Sequence, residues 1–476
     1  MYKGYCMTNE NRAKTPVLAK IASDKVFCWM SMALLVFLPV AEIIVEVLMS
    51  TKNKAFRFIR YPSFFQPNIV AIFGIAGTLM VILSLISRAT GGRKFKLYLA
   101  DIFYFTLLFF MLISMIFSVN FGVFANGLKH YMEHPLHFLC YYSLFYFGSM
   151  IKDSSLRKKL LYSYLIIAVI EGIVAFLQTR DIEIAYCLFV NDKPAYFAAY
   201  GTLQNTNFYG TLSCVLTAAI SGLFIFSSRL FKSKVFKWII YAVAMLIFYT
   251  MLSSGARLAW VGLTAMICMY IVSLIVMRKS NIGKDYLKSI TRDFIIVLAG
   301  YVVVIIINLL ADASFITNRV EQTIQDTTTA IGDDDFGSGR GEIWKAALSS
   351  VPHHWATGIG LDNLSQAFVE QPGWQPGDYV QAKGHSEYIH TLATQGVFAI
   401  TNYILLLIYA GVTAVKAIFN EKDEVKRGLL WIFFGIFTAY ISQALFSSSV
   451  MNVAPYFWIV LGIVTQRTKP ISFKKK

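Results

Sequence analysis

Charge is scarce in this chain. Only 15% of its 476 residues are Asp, Glu, Lys or Arg, against about 25% in a soluble globular protein. So little charge cannot coat a folded domain in water, which excludes an ordinary soluble fold. Cysteine is scarce as well. Of six, Cys6, Cys28, Cys140, Cys214 and Cys268 fall in apolar runs or in the basic N-terminal tail. Only Cys187 is expected outside the membrane, and one thiol builds no disulfide framework. No internal repeat, low-complexity segment or regularly spaced metal motif is visible. The first apolar run follows a polar basic tail and is too long for a cleavable signal, so it is expected to stay as an anchor.

Apolar residues make up 57% of the chain, and they arrive in long runs. About 20 apolar residues cross ~30 Å of hydrocarbon, and such segments must be helical because lipid satisfies no backbone group. The runs predict about twelve transmembrane helices, near 26–49, 69–87, 97–119, 136–151, 160–178, 208–228, 238–253, 258–277, 294–311, 388–415, 429–446 and 448–466. The fold class is therefore an all-α polytopic membrane protein. Three parts are expected: an N-terminal bundle over 1–311, a large outer loop over 312–387, and C-terminal helices with a basic tail over 388–476.

The cations set the orientation. With the N-terminus inside, the inner loops and tails hold 31 of the 43 Lys and Arg, although the outer loops are longer. Every inner loop carries the bias, as the positive-inside rule requires. The formal charge of +16 is thus a topology signal, and no basic motif with interleaved aromatics points to nucleic acid. The chain is expected in the plasma (inner) membrane with both termini cytoplasmic.

Two asymmetries remain. All seven histidines (His130, His134, His137, His353, His354, His385, His390) lie outside or at the outer membrane edge. Six arginines (Arg57, Arg60, Arg180, Arg257, Arg319, Arg340) lie outside against the bias, and Arg is the residue for bidentate phosphate recognition.

The long outer loop has structure written into it. Ile316, Val320 and Ile324 predict one short amphipathic helix; Trp344, Ala347, Leu348 and Val351 predict a second that ends at Pro352. Turns are expected at Gly358 and Gly360, at Pro372-Gly373 and at Pro376-Gly377. Arg340 opens the second helix after Gly337-Ser338-Gly339. A cation there opposes the helix dipole, but with free N–H groups and glycines it suits an anion. The plainer reading is a solvated Arg, or one paired with Asp333, Asp334 or Asp335, which are themselves better read as a solvated acidic loop than as a cation site. Arg257 stands in a very short outer turn, Ser253-Ser254-Gly255-Ala256-Arg257, at the level of a lipid diphosphate or of phospholipid headgroups to which it could snorkel. His385 precedes the tenth membrane helix, where the positive helix end favours a neutral imidazole able to accept a proton; a lone interfacial His is also commonly structural. His353 and His354 read as surface residues. Within the spans, Glu42, Glu46, Asp101 and Glu171 are the ionisable groups, and intramembrane carboxylates are often functional. Glu46 has Arg57 or Arg60 as a simple partner.

Taken in order, Arg257 after its Ser-rich turn, Arg340 with Trp344, Gly358-Ile359-Gly360, and His385-Ser386-Glu387-Tyr388 with Gly396 beyond resemble the O-antigen ligase and polymerase superfamily. Gly201-Thr202-Leu203-Gln204-Asn205-Thr206-Asn207 is similar to the family's outer Gly/Asn loop, and Pro455 to Trp458 adds to the likeness. The resemblance lies in residues 195–460, with Ala256 and Ser386 standing where the family usually has Ser and Asn. It implies a GT-C-like, metal-independent, inverting glycosyltransferase with no cofactor. Its donor is a glycan on a polyprenyl (undecaprenyl) diphosphate at the outer face. Arg257 and Arg340 match the diphosphate-binding arginines, and His385 matches the catalytic base; Asn205, Asn207, Glu387 and Tyr388 are candidate donor or acceptor contacts. The partners implied are the lipid-linked glycan, membrane lipid and a chain-length regulator. Glu387-Tyr388 after the His looks like variants from organisms without an outer membrane, which favours polymerisation of a surface polysaccharide over ligation to lipid A core. Two rivals stand beside it. A lipid-linked oligosaccharide transporter would show inverted repeats and broken helices; a peptidoglycan polymerase would place a catalytic Asp in the large loop.

Overall fold

The computed structural model describes residues 17–50, 65–90, 96–120, 133–182, 199–279, 283–311, 321, 324, 337, 339–376, 378, 380–467 and 470–471. Among them every regular element is helical. In chain order the main ones are α1 (Asp24–Ser50), α2 (Phe65–Thr90), α3 (Leu99–Ile116), α4 (Pro135–Met150), α5 (Ser154–Gln178), α6 (Thr206–Ile225), α7 (Lys234–Ser253), α8 (Arg257–Lys279), α9 (Lys284–Ala311), α10 (Arg340–His354), α11 (Glu387–Asn420), α12 (Glu424–Gln443) and α13 (Ala454–Val464).

Ten of these are long and apolar enough to cross a membrane: α1, α2, α3, α5, α6, α7, α8, α9, α11 and α12. Their outward faces are apolar. On α2, Ile72, Ile75, Leu79, Ile82 and Ile86 stand exposed at spacings of three and four; on α3, Ile102, Phe105, Phe109, Leu112 and Ile116 do the same. An apolar stripe turned outward is stable only against lipid, so the chain is a multi-pass membrane protein.

The other two apolar runs became short helices, of 16 residues in α4 and 11 in α13. Both are packed inside the bundle, chiefly against each other, so neither has to match the bilayer thickness. Their backbones nearly touch: a Cβ on Gly148 would lie 2.2 Å from the Ile459 carbonyl oxygen, and one on Gly462 would lie 2.1 Å from that of Phe145. Small residues at such crossings permit the dispersion contacts that hold membrane helices together. α6 is the centre of the bundle, with the core stretch of the helix wholly buried.

α11 is broken. Gly396 leaves the helical conformation (φ 84°, ψ 174°), and the segment after α10 fills the break. Ile359 and Gly360 donate to the carbonyls of Ala393 and Thr394 at 3.0 Å each, and Val397 donates to Trp355 O at 2.7 Å. The backbone groups freed by the break are thereby satisfied, which a membrane-level interruption requires. The 24 residues from Val397 to Asn420 span ~36 Å at 1.5 Å each, so the first half of α11 is free to belong to the site.

Pro352 lies inside α10, which runs on to His354. Its buried face is Ile343, Ala346, Ala347 and Ser350, while Leu348 is exposed. The expected stripe was therefore rotated, because the helix packs on the first half of α11 and on Ile359, Leu364 and Phe368. His353 is exposed and His354 pairs with Glu370 at 3.3 Å. The first expected loop helix (Ile316, Val320), Asp333 to Asp335, Arg57, Arg60, Arg319, His130, Cys6, Cys187, Gly377 and the side chain of Glu46 lie outside the described residues.

Candidate active site

Gly339 takes the left-handed conformation (φ 82°) that lets α10 start abruptly. Arg340 follows, half-buried, its Nη1 donating to Gly337 O at 2.9 Å. One turn later Trp344 ties α10 to the approach to α11. Its indole N–H donates to Gly384 O at 2.9 Å, and its ring stacks on Phe446. That bond brings Arg340 beside His385.

His385 has a positive φ of 45°, uncommon outside glycine. Its backbone N–H donates to Ser448 Oγ at 2.8 Å, and Ser386 then caps α11, accepting from Ile389 N–H at 3.5 Å. Burial pushes the imidazole down to about 4, with the Arg340 guanidinium and His390 acting in the same sense. His385 is neutral near pH 7, as its position at a helix start predicts, but desolvation is the main cause.

Arg257 stands at the same end of the bundle, linked to it through a run of contacts between neighbouring residues. Ser254 Oγ accepts the Ala256 N–H at 3.2 Å and closes the turn. The Ala256 methyl then lies over Gly210 of α6, where a Cβ would come within 2.2 Å of it. Thr211, the next residue of α6, bonds Ser447 at 2.9 Å, and Ser448 holds His385. Arg257, Arg340 and His385, though 128 residues apart at the extremes, thus lie at the same end of the bundle.

The other expected residues are engaged within the protein. Asn205 caps α6, its Oδ1 accepting from Asn207 N–H at 2.9 Å and Phe208 N–H at 3.2 Å. Asn207 is half-buried in the first turn and its carbonyl accepts from Thr211. Glu387 accepts from the hydroxyls of Tyr403 at 2.8 Å and Tyr440 at 2.9 Å, and Tyr388 donates to Ile441 O at 2.8 Å. Of the intramembrane carboxylates, Glu42 accepts from Gln204, Glu171 from Thr202, and Asp101 pairs with Arg88 and Arg467.

Beneath His385 lies a buried charge network that the sequence did not disclose. Lys383 Nζ is 2.6 Å from Asp362 and 2.9 Å from Glu133. Asp362 also takes His390 Nε2 at 3.0 Å and the Glu133 N–H at 2.5 Å, while Glu133 accepts from Tyr141 at 2.6 Å and Ser449 at 3.1 Å. Burial alone would raise Asp362, but the Lys383 charge and the His390 bond outweigh it and hold the carboxyl low. Lys383 is likewise held up against burial by its two carboxylates. The network pins the loops at 133, 362 and 383 to the first half of α11, and so fixes the segment that carries His385. The one trace of it in the sequence is Lys383 itself, a lysine on the disfavoured outer side two residues before the candidate base, which says nothing of its partners.

The network opens on a narrow cavity of about 40 Å³ between α3, α4, α11 and α13, lined by Glu133, Glu387, His390, Asn402, Tyr403 and Trp458. His390 Nδ1, Asn402 Nδ2 and Trp458 Nε1 are buried there with no hydrogen-bond partner among the described residues. It is too tight for a sugar ring and has room for about three waters.

Residues 240–404 match the family described as O-Antigen ligase, a stretch that runs from α7 past the break in α11 and holds Arg257, Arg340 and His385. The resemblance read from the motifs holds over that stretch. A search of curated proteins returned no match.

Proposed function

We propose that this chain, whose residues 240–404 match the O-antigen ligase family, is a membrane glycosyltransferase, namely an inverting polymerase that joins repeat units of a surface polysaccharide on a polyprenyl-diphosphate carrier. The observation that carries the reading is the placing of a buried neutral imidazole, His385, within the field of a guanidinium, Arg340, at the end of the bundle where Arg257 also stands.

In the proposed reaction an acceptor hydroxyl attacks the anomeric carbon of the donor sugar. The new C–O bond forms as the bond to the diphosphate oxygen breaks, and the diphosphate leaves with the electron pair. His385 takes the hydroxyl proton, and Arg257 and Arg340 balance the charge that grows on the leaving group. Donor binding prepares the base: a diphosphate on Arg340 offsets the cation that lowers the imidazole, so His385 becomes more basic when its substrate is present. The positive-inside bias supports an extracytoplasmic site.

The break in α11 is a feature a transporter would share. Here residues 355–360 of the same chain fill it, which suits a docked cap better than a substrate path.

The experiment measures membrane abundance and glycan together in a complemented deletion strain. His385→Ala is expected to leave abundance normal and to erase the polymer ladder, since loss of a general base costs ~10²–10⁴-fold. Arg257→Lys and Arg340→Lys are expected to lose most activity, because an ammonium lacks the planar fork. Normal polymer from His385→Ala at normal abundance refutes the base. Product on another acceptor, with no ladder on the lipid carrier, assigns ligation in place of polymerisation.

A further inference from the structure

At the end of α11 far from His385, the bundle holds a second, roomier cleft. Its volume is about 360 Å³, within the ~300–1,000 Å³ of small-ligand pockets. It lies between the start of α5, the end of α11, the first turns of α12 and the segment after α13. Lys152, Arg157, Lys426 and Arg467 line it against one carboxylate, Glu421. The carboxylates that cap the adjoining helices, Asp153 and Asp423, are committed to the backbone N–H groups of Ser155 and Lys426.

The floor of this cleft carries more positive than negative charge. Arg467, with 1% of its side chain exposed, pairs through Nη1 with Asp101 at 2.6 Å. The same carboxylate already pairs with Arg88 at 2.8 Å, so two guanidiniums share one anion. Arg467 Nε donates to Ser149 at 3.0 Å; Nη1 meets Asp101 as an ion pair only, and neither Nη1 nor Nη2 has a hydrogen-bond partner among the described residues. Arg157 donates to neutral acceptors, Ile151 O at 3.0 Å and Gln466 at 3.4 Å, and Glu421 is the carboxylate whose charge reaches it. Three guanidiniums, Arg88, Arg157 and Arg467, thus share two carboxylates, Asp101 and Glu421, and a further anion on this floor would balance the excess.

We infer that this cleft binds a phosphate-class anion, supplied by the headgroup of an anionic phospholipid of the leaflet at that end. Two arginines offer the planar donors that suit phosphate oxygens, while the exposed lysines Lys152 and Lys426 at the rim draw anionic lipid to the surface. The cleft lies where the membrane-spanning helices α5 and α12 begin and α11 ends, the level at which a spanning helix meets lipid headgroups.

The test uses the purified full chain in nanodiscs of phosphatidylcholine alone or with phosphatidylglycerol, and in detergent with inorganic phosphate. Thermal stability and lipid retained in native mass spectrometry are read together. Phosphatidylglycerol is expected to raise the melting temperature and to stay bound at one molecule per chain. The double variant Lys152→Gln, Lys426→Gln, which alters two exposed residues away from the buried pairs, is expected to bind it about thirty-fold more weakly. A rise with inorganic phosphate but none with phosphatidylglycerol keeps the phosphate site and overturns its lipid source. Equal stability in every condition, or a double variant indistinguishable from the parent, overturns the site.

Discussion

His385 shows how a residue's chemistry depends on what surrounds it. An imidazole held near 4 by burial and by Arg340 is a poor base in the free enzyme, and the proposed mechanism has the donor's diphosphate strengthen it. This leads to a distinction in the pH profiles. The acidic limb of kcat/KM reports the free enzyme and that of kcat the bound one, so the limb in kcat is expected at higher pH. Coincident limbs would mean that donor charge does not reach His385. The same depression has a stability consequence. A group that binds its proton more weakly when folded contributes stability above its unfolded value of 6.5 and loses it as pH falls toward about 4, so His385→Gln is expected to flatten that part of the curve. His390 and Asp362 belong to a different class. They are fixed in a buried network whose disruption would strand Lys383, or strand two carboxylates if Lys383 were removed, and such losses typically cost about 3–5 kcal/mol.

At the level of elements, the broken helix α11 is the feature on which the site is built. Gly396 has φ 84°, and a Cβ there would lie 2.4 Å from Ala356 O; a Cβ on Gly358 would lie 2.2 Å from the carbonyl carbon of Thr394. Either glycine→Ala substitution should push residues 355–360 out of the break and unmoor α10 with Arg340. The expected result is faster proteolytic cutting within 355–376 in intact membranes, together with lost polymer. An uncut loop in both variants would show that the docking is dispensable. The motif Gly358-Ile359-Gly360 was legible in the sequence, as was Gly396, but not that the one segment fills the gap left by the other. That is a long-range pairing, and no local spacing encodes it. The same limit explains Leu348: the sequence marks an apolar stripe, while the packing partner decides which part of it is buried.

For the whole molecule, topology is the property most open to test. Reporter fusions after Lys237, Arg278 and Arg427 are expected to face the cytoplasm, and fusions within 340–376 the exterior. The reverse would place His385 on the side where the positive-inside reading puts the basic cleft, and would overturn the extracytoplasmic mechanism. Hydropathy alone established an all-helical membrane chain, since apolar runs of this length have one stable backbone form in lipid. The order of Arg257, Arg340 and His385 likewise carried the family resemblance without any coordinates. Tertiary structure decided the rest: that α4 and α13 are short inner helices, that α11 is broken, and that Glu133, Asp362, Lys383 and His390 form one buried network. Glu133 and Lys383 are separated by 250 residues, and nothing in the neighbourhood of either selects the other. Hydrophobic length is a local property that each segment states for itself, whereas the pairing of buried charges is settled only when packing excludes water from both.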